Sequence, residues 1–196
     1  MTWWRGNELV ISCLNGLNGR EVIVPAVAAR SLLELSTVFL LNANSLEKNF
    51  GQITFPPDKI VVSTDIENLV AKMIWGTRYQ PKDELLTQTN IMTALQKLAK
   101  SPGAEDLMTA YEFLCDIAHP SFIGNTSYLS HIEAINSNGS ERRLMSRLTD
   151  RQYNTEITDK TLWALAWTSN CIQNAFIIMR NAYASLLNKI SDSGQI

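Results

Sequence analysis

A chain of 196 residues with 45% hydrophobic and 18% charged side chains can bury a core without disulfide or metal staples, and its length is that of one domain. A single helical domain over residues 1–196 is therefore the simplest organisation. A net charge of −2 excludes a global basic field that would draw nucleic acid or an acidic membrane.

The charged share falls below the roughly 25% of ordinary domains, which points to long buried helices or a substantial interface. Cys13, Cys115 and Cys171 form no CxxC pair. In their apolar settings they read as reduced thiols of a cytoplasmic protein. The first residues, Met1-Thr-Trp-Trp-Arg5, lack the basic leader and small-residue cleavage site of a signal peptide.

In chain order, a short helix is predicted over 7–17, ended by Gly16, Asn18 and Gly19, residues that tolerate a left-handed cap. Pro25 fits the first turn of a second helix running from 26 to about 44. Its apolar residues cover both sides: Ala28, Leu32, Leu35 and Phe39 on one, Ala26, Val27, Leu33, Val38 and Leu41 on the other. Such a helix is expected at the centre of a bundle. Residues 22–41 have the length of a membrane span, but Arg30 and Glu34 at the middle would be costly in lipid. Residues 51–63 read as a connector, where Pro56 and Pro57 exclude helix and 59–63 suits one short strand.

Thr64 or Asp65 caps a third helix, 66–75, closed by Gly76. Helices follow over 85–100, ended by Ser101, Pro102 and Gly103, and over 104–119, with Glu105 and Asp106 in the first turn. From 122 to about 156 the helical pattern fails. Here 128–135 and 141–148 suit a hairpin about the turn at Asn136–Gly139, with a short helix from Glu141 as the alternative. Thr158 or Asp159 caps a last helix to about 190, striped by Leu162, Leu165, Ala166, Ile172, Ala175, Phe176, Met179, Tyr183 and Leu186. The sum is an all-α bundle of about six helices with a small irregular or β-hairpin insert.

Four residues are candidates for chemistry. Arg30 and Glu34, four apart on one helix face, can pair. They serve either as a structural ion pair fixing register or as an anion contact oriented by its carboxylate. Tyr111, Cys115 and His119 also step by four, with Glu112 and Asp116 flanking. His119 precedes Pro120 at the helix end, beside free carbonyls that favour a charged imidazole. It is either a capping and packing group or a general acid or base. Cys115 and His119 make half a metal site at most, and zinc needs three or four ligands; no metal or cofactor is expected. Arg142, Arg143 and Arg147 form the one positive cluster, either a solvated loop or a phosphate contact. Trp3 and Trp4 either mark a partner surface or pack on the bundle.

A helix such as Ala29-Arg-Ser-Leu-Leu-Glu34, Trp75-Gly-Thr-Arg78 and the motif Tyr111-x-x-Leu-Cys-Asp-x-Ala-His-Pro120 resemble elements of a group of bacterial all-helical proteins. These are similar to distant members of the HEPN superfamily, helical domains of bacterial conflict and abortive-infection systems. The resemblance implies a cytoplasmic interaction or effector module, self-associating or bound to a protein partner, with a buried cluster of Arg30, Glu34, Tyr111 and His119. It implies as alternative a metal-independent ribonuclease, with RNA as the partner. Active HEPN proteins carry Arg, four to six residues, then His. No arginine lies in that window before His119 or His131, so Arg30 would have to supply the cation from another helix. A helical small-molecule sensor is the third expectation.

Overall fold

The computed structural model describes residues 2–55, 63–75, 90–119, 121, 130–145 and 155–193. Among them are six helices and one two-stranded antiparallel sheet: α1 (Thr2–Asn18), α2 (Ile23–Gln52), α3 (Thr64–Trp75), α4 (Ile91–Leu98), α5 (Leu107–Ala118), β1 (Ser130–Ile135), β2 (Glu141–Met145) and α6 (Thr155–Asp192). The all-α bundle with a hairpin insert is the observed fold class. The strand expected over 59–63 lies mostly outside the described residues.

Contacts gather into two compact units. One comprises Met1–Leu35 and Ala99–Thr168, the other Ser36–Leu98 and Ser169–Ile196. In the first unit α1 runs antiparallel to the start of α2, meeting it through small residues. The Cys13 thiol donates to the Pro25 carbonyl at 3.5 Å, and a Cβ on Gly16 would stand 2.7 Å from Pro25 Cγ. Gly16 is thus not the terminator that its type suggests; it lies inside α1 because Pro25 needs the space. The helix ends instead in a Schellman motif. Arg20 takes the left-handed conformation at φ 56°, its N–H donates to the Leu17 carbonyl, and the Glu21 N–H donates to the Gly16 carbonyl.

α2 outruns its expected end, continuing to Gln52. Its buried face carries Ala26, Ala29, Leu32 and Leu33 in the first unit and Ser36, Leu40, Ala43 and Leu46 in the second. It is not apolar-buried all round, since Val24 and Val27 are exposed. By length and composition α2 is long and apolar enough to cross a membrane, with Arg30 and Glu34 inside it.

In the second unit the Phe39 and Phe176 rings meet edge to face at 5.5 Å, and the Lys189 ammonium donates to the carbonyls of Phe50 (3.3 Å), Gly51 (2.8 Å) and Ile53 (3.2 Å). These contacts, 12 residues apart on α2 and 13 on α6, set the two helices side by side and parallel there.

α3 begins at Thr64, two residues before the expected start at Ile66, so that Thr64 and Asp65 lie inside it rather than capping it, with Asp65 and Glu67 in its first turn and Lys72 in its last, each suited to the helix dipole. Asn90 caps α4, its Oδ1 accepting from the Met92 N–H at 2.9 Å. α5 starts at Leu107, three residues later than expected, so Glu105 and Asp106 precede it.

The hairpin, rather than the alternative helix from Glu141, forms the insert. Ile135 faces Glu141 across the turn, and the register shifts between Ile132 and Ala134. Gly139, at φ 79°, supplies the turn. α6 begins at Thr155 and buries Ile157, Thr161, Ala164, Thr168, Cys171, Ala175 and Ala182. The expected stripe of large residues is displaced: Leu162 is 49% exposed, Phe176 46% and Tyr183 58%. Small side chains at alternating spacings of three and four let neighbouring backbones come close, and this outweighs the area that the large ones would bury.

Candidate functional site

Arg30 and Glu34 project from α2 one turn apart, on the edge of its buried face. Tyr111 projects from α5, whose buried side holds Leu107, Ala110, Tyr111, Leu114 and Ile117. Arg30 Nη2 lies 3.2 Å from Glu34 Oε1, and the Tyr111 hydroxyl donates to the same oxygen at 2.8 Å. The guanidinium carbon sits 5.7 Å from the Tyr111 ring centroid, within the range of a cation–π contact. Cys115, one turn beyond Tyr111, is close enough to act electrostatically on Arg30 and by hydrogen bonding on Tyr111.

The expectation of a buried ion pair is corrected in degree. The Arg30 and Glu34 side chains are 27% and 32% exposed, so the pair sits at a wet edge while Tyr111 is buried beneath it. Burial pushes the Tyr111 phenol up, and its hydrogen bond to Glu34 adds to this, to about 12. Burial works against the Arg30 charge, but Tyr111, Cys115 and Glu34 outweigh it and raise the guanidinium above its ordinary value. Arg30 Nε is nonetheless sealed from solvent without an acceptor among the described residues. One carboxylate oxygen thus takes both donors while Arg30 Nε stays without an acceptor among the described residues, and a phenol that ionises near 12 stays protonated at neutral pH.

His119 stands apart from these contacts. It is exposed and forms the C-cap of α5 in extended conformation, its N–H donating to the Cys115 carbonyl. Ser121 completes the end, its hydroxyl donating to the Asp116 carbonyl at 2.7 Å and its N–H to the His119 carbonyl. The capping role thus belongs to the His119 backbone and to Ser121. Arg142, exposed on β2, faces Ala134, and Arg143 faces Ile132; Arg147 lies outside the described residues, as do Gly76 to Arg78 of the Trp75 element. Among the described residues no group of three or more His, Cys, Asp or Glu side chains gathers as a metal site would need.

The step of four from Tyr111 to Cys115 is legible in the sequence, whereas the proximity of Cys115 to Arg30 on another helix is not. The Lys189 contact with the end of α2 joins residues about 140 apart and has no local signature. No family model matches the chain, and neither the curated proteins nor the solved structures include a match.

Proposed function

We propose that this chain is a cytoplasmic helical interaction or effector module of a bacterial conflict or stress system, self-associating, in which Arg30, Glu34 and Tyr111 fix α5 against α2. The observation that carries this reading is a shared acceptor: Glu34 accepts from both Arg30 and Tyr111 at one oxygen. His119, exposed at the helix end, takes no part in those contacts among the described residues. Groups that satisfy one another hold a fold; a catalytic centre needs a base or acid aimed at open space.

A metal-independent HEPN-type ribonuclease is the second reading, favoured by the exposed edge of Arg30 and by exposed His119, which would act as phosphate contact and as general acid or base. RNA cleavage by the purified protein with chelator present, beside Arg30→Ala and His119→Ala, separates the two. The interaction module predicts no cleavage by folded wild-type protein and a mass above the monomer in light scattering. Cleavage lost in both variants would overturn it in favour of the nuclease.

A further inference from the structure

We draw no further inference here: the strongest candidate, the half-exposed Cys115 thiol beside Arg30 at the wet edge of the side-chain cluster of α2 and α5, belongs to the site already described and is a single cysteine with no second feature among the described residues that points to a ligand.

Discussion

Replacing Tyr111 with Phe removes one hydrogen bond to Glu34 but leaves the ring under Arg30. The expected loss is about 1–2 kcal/mol, as for a hydrogen bond to a charged group at a partly wet site. The change also carries a pH signature. An unperturbed phenol ionises near 10, and that of Tyr111 in the folded protein near 12, so the folded state holds the proton more tightly. That stabilisation is whole below pH 10 and is lost as pH rises through 12. Chemical denaturation between pH 9 and 12 should show wild type losing stability more steeply than Tyr111→Phe; parallel curves would mean that the phenol is not held as described. Of this cluster, the Arg30–Glu34 pair was legible from spacing alone. Its meeting with Tyr111 is among the expectations but is not given by spacing, because the contact spans 77 residues, and nothing local sets the rotation of α5 about its axis. The two glycines of α1 give a contrast in sign. At Gly16 a methyl group meets the rigid Pro25 ring at 2.7 and 2.8 Å, while at Gly6 it stands an ordinary 3.5 Å from Leu35. Gly16→Ala should lower stability by about 1–3 kcal/mol. Gly6→Ala should raise it by up to about 1 kcal/mol through helix propensity, and melting curves of the two variants decide it.

At the scale of elements, the hairpin and the start of α3, to within two residues, follow from turn and capping residues, because those signals are local. The end of α1 is observed within one residue of the expected 17, but through Arg20 in a conformation that glycine usually supplies. The end of α2 does not follow, because it is held from a distance by Lys189. Two carbonyls in the last turn of α2, at its negative dipole end, and one just past it are met by one ammonium. Lys189→Met keeps the length of the stem and removes the donor. Amide hydrogen exchange should then quicken over residues 47–53 while α4 stays protected, at an overall cost of about 1–2 kcal/mol. Unchanged exchange there would show that the helix end holds without the clamp. The α6 stripe was misread for a physical reason: periodicity finds large apolar side chains, and this helix buries Thr161, Ala164, Thr168, Cys171 and Ala175.

For the molecule as a whole, the three thiols report on opening. Burial pushes Cys13 and Cys171 up to about 11, which leaves little thiolate near pH 8, whereas Cys115 is half-exposed beside Arg30. Iodoacetamide at pH 8 should label Cys115 first and the other two only as denaturant opens the core. Cys13 belongs to the first compact unit and Cys171 to the second. Peptide mapping across a urea series therefore follows each unit separately, and early labelling of both in native buffer would refute the burial described. The two units escaped the sequence reading because α2 and α6 each contribute residues to both, so no break in composition marks a boundary.

The hairpin turn also sets how the protein ages. Asn138 followed by Gly139 on an exposed loop is the pair most prone to lose ammonia, because the unhindered glycine nitrogen can attack the asparagine amide. Here the nucleophile is occupied, since the Gly139 N–H donates to the Asn136 carbonyl, and the bonds that Asn138 Oδ1 accepts from the Ser140 N–H and hydroxyl fix the side chain in place. Ammonia loss is therefore slow while the turn is closed, and Ser140→Ala should accelerate the one-charge acidic shift seen on isoelectric focusing of stored protein. The accumulated acidic form is a clock that runs only while the hairpin is open.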